Sequence, residues 1–306
     1  MYERFYLNKS EKIKSEARIR EPTLSGFKIL TGLILFIFLL KMSKLSLEDT
    51  MKVASFNVNS LRARLNIVLD WLRKESPDIL CLQETKVPDN EFPQTAFEEM
   101  NYHAVSRGEK SYNGVAIISK TPLKDVRGGF DEDESEGTRL ITATVNKISV
   151  VNTYVPQGVH PLLKQFRYKL DWFQKLYEYF TKNFRPDRAL LWMGDFNVAP
   201  EPIDVYNPDH LQGSICFHPD EHAALQRLKE WGFVDVFRLH QHGPEQYTFW
   251  DYRVKDAVAR KKGWRIDHIW ASRPLAKKST KAWIDTTPRL LEKPSDHTFI
   301  VAEFEV

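Results

Sequence analysis

A chain of 306 residues, 42% of them hydrophobic, with a formal net charge of +3, is long enough to bury a large core in one domain or two. The basic excess sits wholly in the first 50 residues, where nine Lys or Arg face six Asp or Glu, leaving 35 of each sign in the rest. A neutral body excludes a general polyanion binder, so any nucleic-acid affinity needs a local basic face. Cys81 and Cys216, far apart and without metal-ligand spacing, exclude a disulfide framework and a readable zinc site, and they fit a reducing, cytoplasmic setting.

The first 50 residues carry one uncharged apolar run, ILTGLILFIFLL at 29–40. As a helix it would be about 18 Å long, short of the ~30 Å hydrocarbon core of a bilayer. The charged stretch before it is too long for a secretory signal, and KMSKLSLEDT offers no small-residue cleavage site. A membrane anchor, an uncleaved signal and an extension foreign to the fold all remain open. Met51, at the start of the first globular strand, favours the last, with residues 1–50 a leader and 51–306 a single domain.

From there, MKVASFNVNS predicts a strand running into Asn57 and Asn59. Leu61, Leu65, Leu69 and Leu72 recur at helical spacing, and Ser76-Pro77 stops the helix they predict. DILCLQET predicts a strand that is apolar until Gln83 and Glu84, and NGVAIISK, LITATV and KISVVNTYVPQG predict three more. A long amphipathic helix follows, with Phe166, Leu170, Phe173, Tyr177 and Phe184 inward. Next come the strand LLWMGD, the helix HAALQRLKEWGF ended by Gly232, and the strands RIDHIWAS and FIVAEFEV. Helices interleaved with strands predict a mixed sheet buried by helices on its outside. SFNVNS faintly echoes GDFNVA, which would suit two similar halves but is too short to define a repeat.

The apolar strands share one habit: each ends by delivering a polar residue. Asn57, Glu84 and Tyr154 end three of them, Asp195 and Asn197 follow LLWMG, Asp267 opens IWAS, and Asp296 and His297 precede FIVAEFEV. If the chain stays extended through Asn197, Asp195 and Asn197 share one side while Phe196 points back into the core. Taken alone, that stretch reads equally as an ordinary Asx turn. Six such endings together need a common cause. Grouped carboxylates repel unless a cation neutralises them, and oxygen ligands without cysteine point to Mg²⁺ or Mn²⁺. Such an ion leaves sites free for water and phosphate oxygen, as phosphodiester hydrolysis requires. His297 then bonds the phosphate as its charge develops, oriented by a carboxylate such as Asp267; otherwise it is a surface histidine after a Pro-Ser turn.

In order across residues 51–306, ASFNVNSLRARL, PDILCLQETK, NTYVPQG, MGDFNVAP, FWDYR, RIDHIWAS and EKPSDH resemble the motifs of the exonuclease III family of abasic-site endonucleases. The resemblance implies a four-layer α/β/β/α sandwich of the DNase I-like type. It implies Mg²⁺-dependent incision 5′ of abasic sites in duplex DNA, with 3′→5′ exonuclease and 3′-end phosphatase or phosphodiesterase activity on blocked ends. Carried over by position, it makes Glu84 the principal metal ligand, within a set of Asn57, Glu84, Asp195, Asn197, Asp296 and His297. Asp195 would orient or deprotonate the attacking water, Asn197 would hold water and phosphate, Tyr154 would bond the scissile phosphate, and Asp267 with His297 would stabilise developing charge.

Phe249, Trp250 and Ile266 resemble the family's apolar pocket for a flipped sugar without its base. Arg62, Arg64 and Lys86 are candidates for the DNA backbone. The leader departs from the family pattern, and Trp270 stands where a smaller aliphatic residue is usual. Two rival readings share the pattern: a lipid or inositol phosphate phosphoesterase of the same fold, and an inactive DNA-binding module. The enzyme is expected to act as a monomer on duplex DNA, with membrane contact by the leader left open.

Overall fold

The computed structural model describes residues 50–130 and 136–306. Residues 1–49 of the leader, with its apolar run, lie outside the described residues, among which no helix is long and apolar enough to cross a membrane. Among the described residues, twelve strands form two six-stranded sheets. The first sheet contains β1 (Thr50–Asn57), β2 (Ile79–Gln83), β3 (His103–Arg107), β4 (Val115–Ser119), β11 (Ser279–Asp285) and β12 (Phe299–Glu305). The second contains β5 (Lys124–Gly128), β6 (Leu140–Val145), β7 (Ile148–Tyr154), β8 (Leu190–Asp195), β9 (Phe233–Asp235) and β10 (Asp267–Ser272). Their orders are β11-β12-β1-β2-β4-β3 and β5-β6-β7-β8-β10-β9.

In each sheet a single parallel pair, β1 with β2 or β7 with β8, sits at the centre of otherwise antiparallel ladders. The two halves therefore repeat one plan. The echo SFNVNS/GDFNVA falls on β1, the first strand of one parallel pair, and on β8, the second strand of the other, so it does not mark equivalent positions.

Alternation along the strands makes three cores from two sheets. Ile79 and Cys81 of β2, Leu191 and Met193 of β8, and Ile300 and Ala302 of β12 face the space between the sheets. Their neighbours Leu80, Leu82, Phe299 and Val301 turn the other way, onto α1 (Leu61–Glu75), where Trp71 stacks on Phe299 at 4.0 Å. On the far side, Leu190, Trp192 and Trp270 pack against α2 (Lys164–Asn183) and α3 (Pro219–Trp231). Each fully buried apolar side chain there, such as Phe180 or Leu228, contributes about 2 kcal/mol. The result is the four-layer α/β/β/α sandwich that the motifs imply.

The helix faces differ in part from the sequence expectation. In α1 the buried stripe runs through Ile67, Val68, Trp71 and Leu72, with Leu65 and Leu69 only partly covered. Ser76, at φ 48°, closes the helix by donating its N–H to Leu72, one residue before Pro77. In α2 the inward face is Phe166, Lys169, Trp172, Phe173, Leu176, Tyr179 and Phe180, while Leu170, Tyr177 and Phe184 lie at its margin. A buried lysine interrupts the apolar period there, so the hydrophobic pattern indicates a face rotated from the true one.

Within β8, Gly194 adopts φ +141°, and a Cβ on it would stand 2.0 Å from the Thr153 carbonyl oxygen of β7. The close approach is backbone to backbone, so no rotamer change relieves it. Gly194→Ala is expected to destabilise the fold by about 3 kcal/mol, read as a lowered midpoint in thermal or urea unfolding; an unchanged midpoint would mean that β7 and β8 separate freely.

Candidate active site

The strand ends converge because the ladders are in register. Tyr154 pairs with Asp195 across β7 and β8, and Asp195 pairs with Asp267 across β8 and β10. One row of the second sheet thus presents a phenol and two carboxylates on the face that looks at the first sheet. From that sheet, Asn57 closes β1, and Glu84 follows β2 directly. Gln83 keeps the inward position of β2, its amide bonded to Ser55 Oγ at 3.0 Å and Asn152 Oδ1 at 2.8 Å. Strict alternation would send Glu84 outward; a positive φ of 50° turns it back to the site.

Asn57 joins the two sheets. Its Nδ2 donates to Glu84 Oε1 and to Asp195 Oδ2, each at 2.8 Å, while its Oδ1 accepts the Asn59 N–H at 3.0 Å. It is the amide nitrogen that faces the carboxylates, so Asn57 braces them in this arrangement. Lys86 Nζ lies 2.8 Å from Glu84 Oε2 and 2.7 Å from Asn59 Oδ1. Burial pushes the Glu84 carboxyl up, but the Lys86 ammonium and the Asn57 amide outweigh it and hold the group below its usual range.

The extended chain stops at Asp195. Asn197 has φ +51°, and its N–H donates to Asp195 Oδ1 at 2.8 Å, which is an Asx turn. The turn and the functional reading therefore coexist, with Phe196 turned into the outer core and stacked on Trp192. Asn197 Nδ2 donates to the Val155 carbonyl at 2.9 Å and to Asp195 Oδ2 at 3.3 Å. Burial and the nearby charge of Asp267 hold the Asp195 carboxyl well above the ordinary range. Tyr154 is raised well above its usual value by burial and by the charges of Glu84 and Asp195, so its hydroxyl keeps its proton at neutral pH.

His297 completes the centre. Its Nδ1 sits 2.8 Å from Asp267 Oδ2, and its Nε2 lies 3.9 Å from Asp195 Oδ2. Burial alone would lower its pKa, but Asp267 and Asp195 raise it to about 10, which favours the doubly protonated ring. Glu84, Asp195 and His297 each offer a ligand atom, all within 4.8 Å of one another. Asp267 Oδ1 is buried without a partner among the described residues. The carboxylate oxygens of Glu84 and Asp195, brought together at the cavity, are the donors that fit a hard divalent cation. Asp296 lines the same cavity, its Oδ1 accepting from Asn59 Nδ2 at 2.9 Å, but it stands outside that group of three.

The centre opens into a cavity of about 600 Å³ whose other wall includes Phe249, Trp264, Ile266 and Tyr206. Phe249 also packs its ring 4.9 Å from that of His297. Trp250 is not on this wall. Adjacent residues of an extended segment face opposite ways, so Trp250 points behind Phe249 into a cluster with Tyr247 and Ala257. The same alternation places Trp264, which sequence reading missed, beside Ile266; a spacing of two from a pocket residue was the available signal.

Between Trp264 and Ile266, Arg265 faces inward. Its guanidinium binds both oxygens of Asp204 at 2.7 and 2.9 Å, Asp235 Oδ2 at 2.8 Å and His268 Nδ1 at 2.9 Å. The basic candidates divide. Arg62 pairs with Glu91 on the surface, and Lys86 reaches into the site. Arg64 does not present a free cation: it donates to the carbonyls of Asn59, Lys293 and Pro294 and to the Tyr252 hydroxyl, clamping α1 to the turn before His297.

With this fold and this constellation, residues 54–297 match the Endonuclease/Exonuclease/phosphatase family, and the chain belongs to it. Among its relatives, exodeoxyribonuclease III of Haemophilus influenzae is 35% identical over 268 residues, covering 83% of this chain and all of that protein. An AP endonuclease structure from Archaeoglobus fulgidus superposes with a TM-score of 0.81 at 47% identity, over 84% of this chain and all of the other. A 3′ phosphatase from Neisseria, solved with a product DNA hairpin, gives 0.79 and 37% over the same shares.

The Asp204–Arg265 pair ties the cavity wall to the core, and its pH dependence has a definite sign. Burial raises the Asp204 carboxyl, but Arg265 and Arg238 outweigh it and hold its pKa below the usual value. Its contribution is therefore complete above the unfolded value near pH ~4 and is lost as pH falls. Asp204→Asn is expected to cost about 3–5 kcal/mol at pH 7, a gap that narrows in urea unfolding at pH 3. A gap that stays constant between the two pH values would show that the charge of Asp204 is not what anchors Arg265.

Proposed function

We propose that this chain, a nuclease of the DNA-repair class, hydrolyses the phosphodiester bond 5′ to an abasic site in duplex DNA in a Mg²⁺-dependent reaction, with Mn²⁺ able to substitute. It also acts on 3′ ends as an exonuclease and as a phosphatase or phosphodiesterase. The observation that carries this reading is the continuity of one cavity. The Glu84, Asp195 and His297 group opens directly onto the Phe249, Trp264 and Ile266 wall, so a sugar without its base can lie against aromatic surface while its phosphate meets the polar centre.

Glu84 and Asp195 would hold the divalent ion, with His297, Asn197, Asn57 and Asp296 around them. Such an ion, when bound, would supply Lewis-acid charge to the phosphodiester. Asp195, with its raised pKa, accepts a proton from the attacking water at a carboxylate oxygen. Asn197 holds that water and the phosphate. The Tyr154 hydroxyl and the His297 Nε2–H donate to phosphate oxygens as negative charge develops, and Asp267 fixes the imidazole through Nδ1. Lys86 and Arg62 line the approach of the DNA backbone. Residues 51–306 are the catalytic domain, acting as a monomer; two free, buried cysteines fit the cytoplasm.

A duplex with one abasic site tests the reading: the full chain with Mg²⁺ is expected to nick it on the 5′ side, and EDTA to abolish the nick. Intact DNA alongside turnover of sphingomyelin or a phosphoinositide would refute it. Glu84→Gln replaces a carboxylate with a poorer ligand for a hard cation, so the Mg²⁺ concentration for half-maximal rate should rise and added Mg²⁺ should recover part of the activity. An unchanged Mg²⁺ dependence removes Glu84 from the ligand set. Trp264→Ala is expected to lower the ratio of incision at abasic over intact sites, whereas Trp250→Ala lowers stability by about 3–5 kcal/mol and leaves that ratio intact. The reverse pattern would put Trp250 back on the wall.

A further inference from the structure

The turn after β8 is held by an unusual set of donors. Three successive carbonyls each accept from a side chain of a different element: Asn197 O from Lys169 Nζ of α2 at 2.7 Å, Val198 O from His268 Nε2 of β10 at 2.9 Å, and Ala199 O from His222 Nε2 of α3 at 2.9 Å. The His268 tautomer follows from its partners. Arg265 donates to Nδ1, so the ring proton is on Nε2 and points at Val198.

Lys169 is the costliest of these donors to place, because its ammonium is fully buried. It pairs with Glu221, which is also fully buried, and donates to the Gln157 carbonyl at 3.2 Å as well as to Asn197, so three acceptors meet three protons. Glu221 in turn accepts the backbone N–H groups of Cys216 at 3.2 Å and His218 at 3.0 Å. A buried ion pair is a poor source of stability, since apolar side chains of similar volume often serve as well. What an apolar residue cannot do is hold a carbonyl. Gln157 and Asn197 both line the reaction cavity, one on the loop after β7 and the other on the loop after β8, and Lys169 ties the two together from behind. Asn197 is also the residue whose left-handed backbone, at φ +51°, needs outside support.

We infer that Lys169, neutralised by Glu221, is a positioning residue for the hydrolysis: it fixes the Asn197 backbone and so sets the Asn197 amide against Asp195. The inference rests on the proposed role of Asn197 at the reaction centre. Lys169 is fully buried with its three protons committed to Glu221, Gln157 and Asn197, so it acts on the site through the backbone it holds.

The test compares the full chain, Lys169→Met, and Lys169→Met combined with Glu221→Gln, on the abasic duplex with saturating Mg²⁺. Lys169→Met alone strands the Glu221 charge and should lower the thermal midpoint sharply. The double variant removes that charge and keeps one of the two oxygens that accept from Cys216 and His218, so its midpoint should return part of the way. Its kcat should nonetheless stay about 100-fold low, the scale of a small misplacement at a reaction centre, with KM little changed. A folded double variant with wild-type kcat, or kcat and midpoint recovering together, overturns the positioning role and leaves a structural pair. If the wild-type chain itself leaves the abasic duplex uncut, the proposed function fails and this role fails with it.

Discussion

Glu84 and Asp195 come from facing sheets and meet at one amide nitrogen. Asn57 Nδ2 donates 2.8 Å to each, and without a shared donor two carboxylates at such range would repel by about 4 kcal/mol at an effective dielectric of 20. Asn57 therefore sets how closely the ends of the two sheets can approach. Ser295 adds a second fastening, its hydroxyl donating to the Asn57 carbonyl at 2.8 Å and accepting the His297 N–H at 3.2 Å. The histidine is thereby placed from the same residue that joins the carboxylates. The rest of the centre follows from strand register once this junction is made.

The junction concentrates backbone strain. Asn59, Ser60, Glu84, Lys86 and Asn197 all have positive φ, and all lie at the sheet ends that border the cavity. Such conformations cost about 1–3 kcal/mol each where the residue is not glycine. They persist because what precedes them is rigid: β1, β2 and β8 are interior strands paired on both edges. The site is an irregular rim on a regular base, and accurate placement of water and phosphate needs both.

How much of this was legible in the sequence depended on whether a residue's position followed from alternation. Tyr154, Asp195 and Asp267 were readable because each borders a strand whose apolar pattern shows which way it faces. Glu84 was readable by its position but not its direction, since the left-handed step that turns it inward leaves no periodic trace. Trp250 was placed on the wall and Trp264 was missed because Phe249 and Trp264 meet in an isolated bridge, which offers no pattern to phase. Lys169 was invisible because a lysine on a helix reads as solvated. The strands β3, β5, β9 and β11 were missed for a different reason: all four are edge strands, without a continuous apolar run or, in β9, only three residues long. Arg64 read as a surface cation because three of its four acceptors, the Lys293 and Pro294 carbonyls and the Tyr252 hydroxyl, lie far along the chain.

The segment from Trp264 to Ile266 separates two duties on consecutive residues. Trp264 and Ile266 face the cavity, while Arg265 between them is locked into Asp204, Asp235 and His268. The anchor carries much of the position of the backbone, to which Ile266 and Trp264 add apolar packing in a cluster with Ala199, Val205 and Phe217. In a lineage of such proteins, the half-buried Trp264 can change in size or chemistry while Arg265 keeps the strand that bears Asp267 in place. Substrate preference can then drift by single substitutions, while the machinery that cuts the bond is inherited unaltered.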